Sequence, residues 1–183
     1  VLEAFRESQD RVMSIALIHE ELHEGRGDDA LNFSLYLQRL LQNLFQTYRF
    51  GNTDICLNLD LEENIFFNMD TAVPLGMIVN ELISNSLKYA FSDRESGEIQ
   101  IKLFKNENEN EVNINEGLPR KDYRYTLLVS DNGIGVPEGI LFGNSDTLGL
   151  QLVNILVDQL DGCIELKKDH GSRFIILFNG MEK

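Results

Sequence analysis

The chain is poor in cations, histidines, cysteines and long apolar runs. Lysine and arginine total 16 against 30 aspartates and glutamates, a net charge of −14 over 183 residues. Such a field repels a phosphate backbone, which argues against a nucleic-acid partner. A small anion is still compatible where backbone amides, a few cations and a metal receive it locally. Two cysteines occur, Cys56 and Cys163, both in apolar, strand-like stretches. They are expected to be buried free thiols of a reducing compartment, which leaves no disulfide framework. No apolar run approaches the roughly twenty residues of a membrane span, and no signal peptide is visible. A cytoplasmic location without membrane contact is therefore expected. Because the chain opens at Val1 within a helical pattern, it reads as a piece of a longer protein, with any sensor or membrane segment outside it.

What is present is ordinary for a globular domain: 43% hydrophobic and 25% charged residues. That is enough chain to bury a core, as one domain or one domain with an appendage. Residues 1–24 read as a helix, with Phe5, Val12, Ile15, Ala16, His19 and Leu22 at helical spacing. Gly25 and Gly27 end it, and Asp28 and Asp29 extend the break. The expected boundary separates an appended helix, 1–27, from the main domain, 28–183. A second helix over 33–48 carries an apolar stripe from Phe33 to Tyr48, with Asn32 as its cap. Gly51-Asn52 then turns the chain into a half-buried strand, Ile55 to Leu61, and a short strand is expected over 65–68. A third helix is expected over 71–90, capped by Asp70, with Pro74 in its first turn. Strands over 98–104 and 123–130 flank a polar loop at 106–121, read as solvated and without chemistry. A fourth helix over 148–160 and strands over 163–167 and 174–178 complete an α+β pattern. The expected architecture is a two-layer sandwich, with a mixed, mostly antiparallel sheet covered by helices.

Four polar features stand out against this frame. In the third helix, Glu81, Asn85, Lys88 and Tyr89 are spaced to share one face, opposite Leu75, Ile78, Leu82 and Leu87. An amide oxygen such as that of Asn85 suits magnesium holding nucleotide phosphates, and Lys88 can meet phosphate as a point charge. A solvated helix face would show the same spacing. The turn Asp131-Asn132-Gly133-Ile134-Gly135 follows a strand, and an aspartate there can accept a hydrogen bond from an exocyclic amine. Leu148-Gly149-Leu150 opens a helix whose exposed amides can seat a phosphate, with Gly149 allowing close approach. Gly171-Ser172-Arg173-Phe174 brings a hydroxyl to the start of the last strand.

In this order, the run Asn80-Glu81-Leu82-Ile83-Ser84-Asn85-Ser86-Leu87-Lys88-Tyr89 and the three glycine-containing blocks resemble the N box and glycine boxes of the GHKL superfamily. That superfamily unites gyrase, heat-shock chaperone, histidine kinase and MutL ATPase domains on the Bergerat fold. The resemblance spans residues 33–183. The Lys88-Tyr89 pair and the run Leu148 to Val153 are most similar to sensor histidine kinases. Arg11-Val12-Met13-Ser14-Ile15-Ala16-Leu17-Ile18-His19-Glu20 resembles the second dimerisation helix of one kinase subgroup. In that subgroup the accepting histidine lies on the preceding helix, so this fragment is not expected to autophosphorylate.

The resemblance implies ATP and Mg2+ as ligands and assigns roles to residues. Asn85 would coordinate magnesium, Lys88 would contact phosphate and Tyr89 the adenosine. Asp131 would bind the adenine amino group in a pocket shaped by Gly133 and Gly135. Gly149 and Leu150 would line the phosphate end. Ser172, where the family more often has threonine, would support adenine through water. Glu81 would act as a base or polarising group, as in the hydrolases of the superfamily; many histidine kinases carry asparagine there. Residues 137–147 would form a lid with Phe142 as its aromatic. The implied partners are the protein's own dimerisation helices, as a homodimer, and a response regulator receiver domain.

Other readings compete. Glu81 favours an ATPase or an anti-sigma-type serine kinase, and a nucleotide-binding module without turnover is a further class. His19-Glu20-Glu21-Leu22-His23 matches the zinc peptidase pattern His-Glu-x-x-His. Arg26 and Asp29 stand where its extended form needs glycine and a third histidine. His19 as phosphoacceptor lacks the basic residue and proline that usually follow. The plainer expectation is that His19 packs on the helix's apolar face, with His23 partly exposed and His170 in a polar turn.

Overall fold

The computed structural model describes residues 2–24, 30–48, 54–92, 94–106, 123–136, 148–168 and 170–180. Helix α1 (Leu2–Glu24) is followed by β1 (Leu31–Asn32) and α2 (Phe33–Thr47). Next come β2 (Asp54–Leu61), β3 (Phe66–Phe67) and α3 (Met69–Asn85), which runs into a π-helical turn, Ser86–Ala90. Strands β4 (Ser96–Lys105) and β5 (Tyr125–Asp131), helix α4 (Leu148–Gln159), and strands β6 (Cys163–Lys167) and β7 (Ser172–Phe178) complete the order. The expected loop at 106–121, the glycine breaks at 25–27 and 51–52, and the lid at 137–147 fall largely or wholly outside the described residues.

The five-stranded sheet has the order β2-β4-β5-β7-β6. Only β2 and β4 pair in parallel, since the crossover through α3 returns the chain in the same direction. The sheet is thus mixed and mostly antiparallel, as expected. Its register puts Ile101, Val129 and Phe174 in one row and Leu103, Leu127 and Ile176 in the next. These residues are buried in one core with Leu75, Ile78 and Leu82 of α3 and Val153 and Leu156 of α4. Phe67, Tyr125 and Phe178 tie β3 to the sheet, with ring centroids 4.9 to 5.7 Å apart. A smaller cluster of Tyr123, Leu128, Ile175 and Leu177 lies apart from this core.

Local chemistry sets the helix starts. Asn32 caps α2 by accepting from the Leu35 amide at 3.2 Å. For α3 the cap is Asn68, which accepts from Thr71, and not Asp70. Asp70 lies in the first turn instead, where a carboxylate favours the positive end of the helix dipole. The earlier start also puts Pro74 inside the helix, past the first turn.

Two further expectations are corrected. Cys56 is exposed on edge strand β2 and Cys163 is half-buried, both as free thiols. Alternation along an edge strand turns every second residue away from the core. On α1, Phe5 and Val12 are 67% and 66% exposed, and Ala16 is exposed too. The packed face carries Ser14, Leu17 and Ile18. Ser14 Oγ lies 2.8 Å from the hydroxyl of Tyr36, a buried residue of α2. Helical spacing marked an apolar stripe without saying which partner it meets. The side chains of His19 and His23 lie outside the described residues.

Candidate functional site

The last turns of α3, the turn after β5 and the start of α4 converge at one end of the sheet. Glu81, on the polar stripe of α3, is buried, so that part of the stripe is not a solvated helix face. It meets Arg11 of α1 in a two-point ion pair. Arg11 Nε donates to Oε1 at 2.7 Å and Nη2 donates to Oε2 at 3.1 Å. Asn85, one turn on, is half-buried. Gly149 sits opposite both: a Cβ there would stand 2.7 Å from Glu81 Oε2 and 3.7 Å from Asn85 Nδ2. A side chain at 149 would collide with Glu81, so glycine lets the start of α4 approach α3 closely here. The Asn85 side-chain amide thus lies beside the start of α4; an amide oxygen suits a hard cation and helix-start amides suit phosphate.

The π-helical turn then breaks the single stripe expected for residues 81–89. A wider turn re-aims the positions after Asn85, as π segments at functional sites commonly do. Lys88 Nζ lies 5.3 Å from the centre of the Tyr48 ring, a cation–π geometry, and the Tyr48 hydroxyl donates to Asp10 Oδ2 of α1. Tyr89 points outward, 52% exposed. At the end of the turn, the Ala90 carbonyl accepts from the Ile134 amide at 2.9 Å. A Cβ on Gly133 would come within 2.3 Å of that oxygen, so the two segments touch only because residue 133 is glycine.

Asp131 ends β5, buried, with both carboxylate oxygens held. Ser86 Oγ donates to Oδ2 and the Gly133 amide to Oδ1, each at 2.9 Å. Ser172, also buried, pairs with Asp131 across the β5–β7 ladder. Gly135 has a φ of 77° and lies beside the Gly171 carbonyl. Arg94 clamps this turn by donating to the carbonyls of Asn132 and Gly133, at 2.5 and 3.3 Å. A polar groove lined by Gln100, Ser130, Asp131, His170, Ser172 and Arg173 opens at the same strand ends, on the far side of the Asp131 carboxylate from α3. It includes none of the α3 or α4 residues.

Glu81, Asn85 and Gly149 thus meet on one side of this site, and Asp131, Gly133, Gly135 and Ser172 gather on its other side. Leu150 does not offer its side chain, which is buried in the core; only its backbone is left for a ligand. Three residues that position the site were missed. Ser86 lies within the motif but had no role, because its bond to Asp131 spans 45 positions. Arg11 lies in the run that resembles a dimerisation helix but had no role there, Arg94 lies outside every motif, and both look like surface cations in sequence.

Comparison with known proteins agrees with this geometry. Residues 70–180 match the family of histidine kinase-, DNA gyrase B- and HSP90-like ATPases, and residues 1–48 match a family described as histidine kinase. The sensor histidine kinase PdtaS of Mycobacterium tuberculosis is 28% identical over 168 residues, covering 90% of this chain and 30% of that protein. PdtaS of Mycolicibacterium smegmatis is 30% identical over 165 residues, 88% of this chain and 29% of that protein. The chain therefore spans less than a third of the length of these relatives. The histidine kinase domain of the Erythrobacter litoralis EL346 blue-light activated histidine kinase shares the fold. Its TM-score is 0.76 at 23% identity, covering 94% of this chain and 74% of that domain. The chain belongs to the histidine kinase-, DNA gyrase B- and HSP90-like ATPase family, as an ATP-binding domain of its histidine kinase branch.

Proposed function

We propose that this chain is the catalytic part of a two-component sensor histidine kinase. It binds Mg-ATP between α3, the turn after β5 and the start of α4, and presents the γ-phosphate to a histidine. Residues 28–183 form the ATP-binding domain and 1–27 part of the dimerisation domain. The acceptor histidine lies on the companion dimerisation helix, and the phosphoryl group passes on to an aspartate of a response regulator receiver domain. In the longer protein the dimerisation helices form a homodimer, in the cytoplasm. No helix of the described residues is long and apolar enough to cross a membrane.

The observation that carries this reading is the pairing of a held carboxylate, Asp131, with the close approach of Asn85 to the glycine start of α4. Asp131 is pre-set to accept from the adenine amino group, with Ser172 beside it. Asn85 would hold magnesium, which neutralises phosphate charge when bound. The first amides of α4 and Lys88 would orient the phosphate chain. Phosphoryl transfer needs mainly positioning and charge neutralisation, which these groups supply. Tyr89, exposed at the π turn, would cover the adenosine.

Calorimetric titration with ATP, with and without magnesium, tests the site. Binding should tighten in magnesium, and Asn85→Ala should abolish that gain while leaving magnesium-free binding in place. Persistence of the magnesium effect in Asn85→Ala would remove Asn85 as the ligand.

A further inference from the structure

We infer that Arg11 is a positioning residue that holds Glu81 out of use as a base, so that ATP bound at this site is kept from water. The inference rests on the nucleotide-site reading above. Glu81 is the carboxylate that stands against Gly149 at the start of α4, where the phosphate end of the nucleotide would lie. A carboxylate there can take a proton from water as its oxygen attacks the γ-phosphorus. The Pγ–O bond to the β-phosphate then breaks, giving ADP and inorganic phosphate. In a phosphotransferase that reaction would waste the phosphoryl group.

The geometry opposes it. Both Glu81 oxygens are engaged by the Arg11 fork at 2.7 and 3.1 Å, and the side chains are only 20% and 5% exposed. A two-point guanidinium pair fixes the carboxylate plane and occupies the oxygens a base would use. The residue before Arg11 makes a second tie: Asp10 accepts from Tyr48, whose ring carries Lys88. Adjacent residues of α1 thus hold both ends of the segment 81–88. Seating of α1 on α3 is thereby coupled to the state of the base. A shift of α1 that withdrew Arg11 would release Glu81 beside the nucleotide.

The test uses the 183-residue chain and reads both ATP affinity and steady phosphate release. Arg11→Met keeps the apolar stem and removes the fork. It should raise phosphate release at least about tenfold, less than the roughly hundredfold or more that an ideally placed general base supplies, with ATP affinity little changed. The gain should vanish in Arg11→Met combined with Glu81→Gln. Arg11→Lys, which keeps the charge but loses the fork, should fall between. Phosphate release in Arg11→Met no faster than in the unaltered chain, with ATP bound, overturns the inference. So does a double variant as fast as Arg11→Met. If circular dichroism shows that Arg11→Met has lost its fold, Arg11→Lys decides, and equality with the unaltered chain overturns it. Failure of the unaltered chain to bind ATP would instead overturn the nucleotide site itself, and the inference with it.

Discussion

Asp131 concentrates the chemistry of this molecule in one carboxylate. It is buried at a strand end, and the Ser86 hydroxyl and Gly133 amide fix its orientation before any ligand arrives. Pre-orientation of this kind lowers the cost of binding, because the acceptor does not have to be ordered by the ligand. Asp131→Asn replaces one acceptor oxygen with an amide donor. A hydrogen bond to a charged group is worth about 1.5–3 kcal/mol, so ATP affinity should fall on the order of tenfold to a hundredfold. Calorimetry should show that loss while the thermal midpoint shifts little; unchanged affinity would make the adenine assignment wrong. Asp131, Asn85 and Gly149 could be proposed from sequence because each sits in a short contiguous block whose spacing carries meaning. Arg11 was not, since its partner is 70 positions away and depends on how two helices pack.

At the scale of elements, the junction of α1 with α2 illustrates how a helix is seated by one polar contact in an apolar face. Tyr36 is fully buried, and its hydroxyl lies 2.8 Å from Ser14 Oγ and donates to the Ser14 carbonyl at 3.3 Å. Burial raises its phenol above the ordinary value of 10.0, and the Ser14 bond only partly opposes that. The unfolded chain therefore loses this proton at lower pH than the folded one. The stability this contributes is fully present below the unfolded pKa and is lost as pH rises above it. Tyr36→Phe should cost about 1–3 kcal/mol near neutrality, by leaving Ser14 without its partner. It should also flatten the fall of stability in strong alkali. Urea unfolding at neutral and strongly alkaline pH measures both, and an unchanged alkaline slope would contradict the assignment. The π turn after Asn85 belongs to this scale too. Its apolar and polar spacing reads as a continuing α-helix, and only packing of the Ala90 carbonyl against the following turn distinguishes it.

For the whole molecule, charge is the dominant property. A net charge of −14 repels an anionic nucleotide approaching from solution, while the contacts inside the site act at short range. Added salt screens the approach more than the contacts, since the screening length is about 8 Å at physiological ionic strength. The ATP association rate, measured by stopped flow, should therefore rise with moderate added salt, whereas a cationic nucleotide site would slow. A rate that falls with salt would mean that a local cationic field outweighs the net charge.

Sequence by itself determined the α+β class, the order of helices and strands, and the two ends of the candidate site. These follow from local periodicity, turn residues and short blocks, in which neighbours in sequence stay neighbours in space. Tertiary structure decided which face of α1 is packed, which cysteine is exposed and where the π turn falls. It also decided that Glu81 is buried against Arg11 and not open on a helix face. Those outcomes depend on contacts between residues far apart in sequence, whose energies exist only once α1, α3 and the sheet are in place.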